Sequence, residues 1–174
     1  TTALSAVGVA SLPVILAACG STASTSTGGE GDFPSHPKWN FVFVNHVTTN
    51  AFFTPTQYGI QDATALLGCS YQWTGSANSV VSEMVNAFNA AISAKADGIA
   101  VAIIDPTAFN APVASALTAG IPVISYNADA PASSGNQRLA YIGQDLFQSG
   151  VAMGNMVLQS VTSGDVVGFI ATPG

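Results

Sequence analysis

The chain has 174 residues, of which 48% are hydrophobic and only 7% charged, against about 25% charged in an average globular protein. That allows one domain with a substantial core and the start of another, covered by Ser, Thr, Asn and Gln rather than by ion pairs. Three basic residues against nine acidic ones leave a net charge of −6, which excludes the basic footprint that nucleic acid needs and electrostatic docking on anionic lipid.

The first apolar segment, AVGVASLPVILAA from Ala6 to Ala18, is interrupted by Ser11 and Pro13 and is short for a bilayer-spanning helix. Its character is that of the apolar region of a secretory signal, and the absence of a preceding Met and basic stretch reads as a clipped front end. It ends in Leu16-Ala17-Ala18-Cys19-Gly20, which resembles the lipobox of bacterial lipoproteins. That resemblance makes Cys19 the site of lipidation; the plain alternative is a buried helix with a chance cysteine. STASTSTGGEG, from Ser21 to Gly31, has nothing to bury and reads as a flexible tether. Cys69 is the one other cysteine, so an acylated Cys19 leaves it without a disulfide partner, and its reading is a small buried residue. No Cys/His spacing suggests a metal.

Strand and helix patterns alternate from there. Phe41–Val44 is a first strand. Thr54-Pro55 offers an N-cap and a proline at the first helical position, opening a helix to about Leu67 that Gly68 stops. Cys69 to Trp73 is a second strand, followed by a polar turn. The next helix, SVVSEMVNAFNAAISAK, puts Val81, Met84, Val85, Phe88 and Ile92 on one face. Ile99–Ile104 is a continuous apolar run of the kind found in parallel strands covered on both sides, and Asp105-Pro106 breaks it. A short helix from near Pro112 to Ala119 precedes a strand at Ile121–Tyr126. A short strand, LAYIG, a helix from about Phe147 to Ser160 and a last strand, VVGFI, complete the pattern. This order predicts an α/β fold with a doubly wound parallel sheet and right-handed crossovers.

Ligands of such sheets bind beyond the carboxyl ends of the strands. Just past those ends lie Asn45, His46, Asn50, Phe52, Phe53, Trp73, Thr74, Asp105, Asn127, Asp129, Gln144 and Asp145. Polar groups that bond hydroxyls, beside aromatic rings that stack on C–H faces, suit a neutral polyhydroxylated ligand. Each residue has a structural alternative. Phe52, Phe53 and Trp73 serve equally as core, Asp105 as a helix cap, Asn127 and Asp129 as turn formers, and His46 in local hydrogen bonding. Nothing points to an enzyme. The stretch after the first strand lacks the glycines of a phosphate loop, no nucleophile elbow occurs, and Asp105 with Asp145 is a weak carboxylate pair.

With those residues assembled, the chain resembles the periplasmic sugar-binding proteins of ABC importers, in the ribose-binding-like group. Asn50-Ala51-Phe52-Phe53 is similar to that family's Asn-Pro-Phe-Phe loop, whose aromatics sandwich the sugar, with Ala51 in place of proline. GIAVAIIDPTAF resembles the family's third strand and Asn-Pro-Thr turn, with Asp105 replacing the asparagine. AGIPVISYNADAP resembles the strand that ends in a hydroxyl-gripping Asp-Arg pair, whose positions are here Asn127 and Ala128. AYIGQD resembles the crossing into a second lobe, with Gln144 and Asp145 near the hinge, and GDVVGFIATPG resembles that lobe's start.

The resemblance implies a signal peptide over 1–19, a tether over 20–36, an N-terminal sugar-binding lobe over 37–127, and the hinge crossing and start of a truncated second lobe over 128–174. It implies an extracytoplasmic protein held to the membrane through Cys19. Such a protein captures a monosaccharide or similar polyol by hinge closure and delivers it to an ABC permease, with no cofactor and no metal. YNADAP and YIGQD are also similar to autoinducer-2 receptors, so a sugar or furanose receptor feeding a signalling system is the alternative. A sugar-responsive repressor would need a helix-turn-helix where the export signal stands.

Overall fold

The computed structural model describes residues 34–169. The expectations for Cys19, the signal segment, most of the tether, and Ile170 at the end of the last expected strand lie outside the described residues.

The elements follow in the order β1 (Asn40–Asn45), α1 (Thr54–Leu67), β2 (Ser70–Gly75), α2 (Val81–Ser93), β3 (Gly98–Val101), α3 (Asn110–Thr118), β4 (Val123–Tyr126), β5 (Ala140–Ile142) and α4 (Leu146–Ser160). All five strands are parallel, in the spatial order β2-β1-β3-β4-β5. The first crossover steps outward to β2, and the next returns past β1 to β3. The direction of winding therefore reverses between β1 and β3, where the strand ends leave a crevice.

Alternation along the strands sends residues to two faces. Val42 and Val44 of β1, Ile99 and Val101 of β3 and Val123 of β4 are buried against Met84 and Phe88 of α2 and Val113 and Ala116 of α3. This is the main core. On the opposite face Ala100, Tyr126, Phe43 and Ile124 pack with Phe53 and Trp73 in a smaller cluster. The apolar positions of α2 at helical spacing are thus the ones that are buried or half-buried, as its sequence pattern requires.

Several local expectations need correction. Thr54 is not the cap of α1. A single 3-10 turn, Ala51–Phe53, runs straight into the helix, and Asn50 caps that turn by accepting from the Phe52 amide at 2.9 Å. Asparagine in extended conformation is a better cap than a threonine already in helical conformation. Gly68 does end the helix in the left-handed conformation, φ +64°. Cys69 precedes β2 rather than opening it, and its thiol is half-buried and free. β3 is shorter than the apolar run, although Ala102 and Ile103 still donate backbone hydrogen bonds to Val44 and Ala128. The expected strand VVGFI forms no pairing over its described residues. Val166, Val167 and Phe169 are exposed, and a parallel strand without a neighbour has no partner for its amides. The helix before it, α4, buries no residue at all.

Candidate functional site

The crevice is floored by the asparagine that ends β1. Asn45, the last residue of β1, is completely buried. Its Oδ1 accepts from the Val47 amide at 2.8 Å, turning the chain off the strand, and its Nδ2 donates to the Tyr126 hydroxyl at 3.0 Å. Gly75, at the end of β2, makes room for it. Gly75 has φ +129°, and a Cβ there would lie 2.0 Å from the Asn45 carbonyl oxygen. The loops that follow β1 and β2 are then joined by backbone hydrogen bonds from Ser76 to Asn45, from Thr48 to Ser76 and from Ser79 to His46.

The two adjacent phenylalanines have opposite roles. Phe53 is 2% exposed and Phe52 is 69% exposed, with their rings 5.1 Å apart and nearly perpendicular. Phe53 plugs the base of the crevice against Trp73 and the His46 edge, so that Phe52 stands free with a ring face open. Trp73 sits behind this wall, its Nε1 donating to the Thr48 carbonyl at 3.0 Å. Tyr126, on the far side, contacts Phe43 and Trp73. Burial pushes its phenol well above the usual tyrosine range, so it stays protonated and available as a donor.

Two clefts open on either side of the aromatic pair, both bounded by Phe52, Phe53 and Asn127. The first, of about 510 Å³, is largely apolar and lies among Phe43, Tyr126, Ile142 and Gln144. The second, of about 550 Å³, is more polar and lies among His46, Asn50, Asn78 and Ser79. Asn127 reaches both from a left-handed backbone, φ +62°, that is pinned by its amide to the Ile142 carbonyl and by the Tyr141 hydroxyl donating to its own carbonyl. Burial lowers the pKa of His46, which keeps its imidazole neutral near pH 7.

Of the residues expected at the site, His46, Asn50, Phe52, Phe53, Asn127 and Gln144 line the clefts. Trp73 backs them at one remove. The three carboxylates stand elsewhere. Asp105 turns back on its own loop, accepting from the amides of Thr107 and Ala108, which hold its carboxyl below the usual range. Asp129 is engaged by Arg138 and by the Ser125 hydroxyl, tying the loop after β4 to the start of β5. Asp145 caps α4 through the Gln148 amide at 3.0 Å. Tyr126 escaped the sequence reading, and Asn45, although it stands among the polar groups at the strand ends, was not assigned to the ligand. A tyrosine closing an apolar run was the available signal.

Residues 41–174 match the model of a periplasmic binding protein domain. A xylose/arabinose-binding protein, XylF, of Sulfolobus acidocaldarius is 54% identical over 152 residues, 83% of this chain and 38% of that protein. A periplasmic sugar-binding protein of a Legionella pneumophila ABC sugar transporter superposes with a TM-score of 0.66 at 23% identity, over 70% of this chain and 45% of the other. XylFII, solved in a complex with LytSN, superposes with a TM-score of 0.65 at 27% identity, over 71% of this chain and 45% of its own. The chain therefore spans less than half the length of these relatives. With a parallel five-stranded lobe, a crevice at its switch point and a model match over most of its length, the chain belongs to the periplasmic binding protein domain family.

Proposed function

We propose that this lobe supplies one wall of an extracytoplasmic sugar receptor that delivers a pentose, xylose or arabinose, to an ABC permease. The observation that carries the reading is the exposed ring of Phe52 on a cleft that Tyr126, Asn127 and Gln144 also line. A pyranose offers an apolar C–H face to such a ring, and its hydroxyls match neutral amides and a phenol without any charge to desolvate. The 54% identity to a xylose/arabinose-binding protein supports pentoses over other polyols.

Capture follows by closure of a second lobe over the ring, a hinge motion in which Gln144 and Asp145 lie at the crossing between lobes. Cys19 carries a lipid that holds the receptor at the outer membrane surface, with the residues after it as leash. Among the described residues no helix is long and apolar enough to cross a membrane. The ligand-capturing step needs no bond making, so no residue is assigned a catalytic role.

A second reading is favoured by one observation. A relative of the same fold, XylFII, is found in a complex with LytSN, so a partner protein other than a permease can engage this fold. Titration calorimetry of the natural gene product with xylose, arabinose and galactose tests the sugar. Co-purification from membranes with a permease, as against another receptor, separates the two partners. A protein that melts cooperatively and binds none of these sugars overturns the reading.

A further inference from the structure

Tyr141, the middle residue of β5, lines neither cleft, yet its phenol lies between two residues that do. Its hydroxyl oxygen is 2.8 Å from the Asn127 carbonyl oxygen and 3.0 Å from that of Gln144. Asn127 follows β4, and Gln144 belongs to the crossing that leads from β5 into α4. Both acceptors are carbonyls, whereas a phenol has a single proton to give. The proton is therefore divided between a cleft residue and the crossing. Partial burial, then the carboxylates of Asp129 and Asp145, raise the phenol's pKa, so the proton is retained at neutral pH.

The surroundings accommodate this contact closely. A Cβ on Gly143 would lie 2.2 Å from the Tyr141 hydroxyl oxygen and 2.3 Å from the ring carbon that bears it, so a glycine is what lets the phenol reach Gln144. Asn127 depends on the contact most. Its left-handed backbone, φ +62°, is uncommon for a residue with a side chain and persists where neighbours hold it. Its amide donates to the Ile142 carbonyl at 3.1 Å and its carbonyl accepts from Tyr141, so β5 grips both backbone polar groups of the residue. The Gln144 side chain is tied to α4 by the Ser149 hydroxyl, which donates to its Oε1 at 3.0 Å.

We infer that Tyr141 is a positioning residue for sugar capture, dividing one hydroxyl proton between Asn127 at the cleft and Gln144 at the crossing. Displacement of the crossing away from the phenol leaves the proton wholly to Asn127, which links the placement of a ligand-facing amide to movement of the crossing. The inference rests on the sugar reading above and adds to it how this wall of the site responds to the hinge.

A double-mutant cycle, read by calorimetric titration of the natural gene product and its variants with xylose and arabinose, tests it. Tyr141→Phe keeps the ring and removes the hydroxyl, and pentose affinity is expected to fall about three- to tenfold, the worth of one net hydrogen bond. Asn127→Gly removes the side-chain amide and keeps the left-handed backbone accessible. In that background Tyr141→Phe is expected to change affinity by less than about twofold, whereas a purely structural tyrosine would weaken both backgrounds alike. Gly143→Ala, which displaces the phenol from the side of the crossing, is expected to show the same dependence on Asn127, and it decides the matter if Tyr141→Phe does not melt cooperatively. Unchanged affinity in Tyr141→Phe, or an equal loss with and without the Asn127 side chain, overturns the inference and leaves the sugar reading standing. A natural protein that binds neither pentose overturns both.

Discussion

Asn45 and Tyr126, 81 residues apart in sequence, share a buried hydrogen bond of 3.0 Å between the end of β1 and the end of β4. It spans β3, which lies between those strands, and so fixes the two sides of the crevice relative to one another. Asn45→Leu keeps the volume but leaves the Tyr126 hydroxyl and the Val47 amide unpaired in the interior. A stability loss of about 2–6 kcal/mol is expected, at about 1–3 kcal/mol for each of the two groups left unsatisfied. Urea unfolding measures it, and a loss below about 0.5 kcal/mol would mean that the bond does not organise the site.

Phe52 and Phe53 separate function from stability. Phe52→Ala removes an exposed ring, so the unfolding free energy should move by no more than about 0.5 kcal/mol, while sugar affinity falls at least tenfold. Phe53→Ala opens a cavity under the crevice and should cost about 3–5 kcal/mol. Paired melting and binding curves for the two variants check this, and equal effects on both quantities would refute the division of labour.

Asp129 offers the converse test. Its carboxylate is shared between Arg138 and Ser125, with both members of the ion pair largely buried. Asp129→Ala strands the guanidinium and should destabilise by about 2–4 kcal/mol, toward the range seen when one partner of a buried pair is removed. Sugar affinity, measured on the fraction still folded, should stay within threefold. A selective loss of affinity with stability unchanged would make Asp129 a ligand residue after all.

The pH dependence has two separable parts. Asp105 has its folded pKa lowered from 3.8 by the amides of Thr107 and Ala108, so its contribution is complete above that value and is lost as pH falls through the folded pKa. Asp105→Asn should therefore show a shallower decline in stability below pH 4 than the natural protein. His46 has its folded pKa lowered from 6.5 by burial, so the unfolded chain binds the proton first and stability declines as pH falls below that value. His46→Asn should remove the decline between about pH 6.5 and the lower folded pKa. Acid melts of the three proteins decide both; parallel curves would mean that neither group is perturbed.

Much of this was legible in the sequence because it rests on local pattern. The alternation of short apolar runs with helical periodicity gave the five strands and four α-helices among the described residues, and the parallel winding follows from it. The ends of the strands then pointed to the right edge, and Phe52, Asn127 and Gln144 lie on the clefts there. What was not legible depends on which neighbour a polar group finds. Asp105, Asp129 and Asp145 stand at strand ends exactly as ligand residues would, but each satisfies itself on backbone amides or a nearby arginine. The Arg138 that engages Asp129 lies nine positions on, at a spacing no helix or strand period would flag. Asn45 stands at a strand end in the sequence too, but its structural role was illegible for the opposite reason: its partner is distant and on another strand. VVGFI has the composition of a strand, but composition does not supply the neighbour that a strand requires.

The central claim is that Phe52 stacks a neutral pentose, and the most direct measurement is calorimetric titration of the natural gene product and of Phe52→Ala with xylose and arabinose. Saturable binding to the natural protein, weakened at least tenfold by the substitution with the melting temperature of the unliganded protein unchanged, is the predicted result. Binding that is indifferent to Phe52, or no binding by a protein that melts cooperatively, would contradict it.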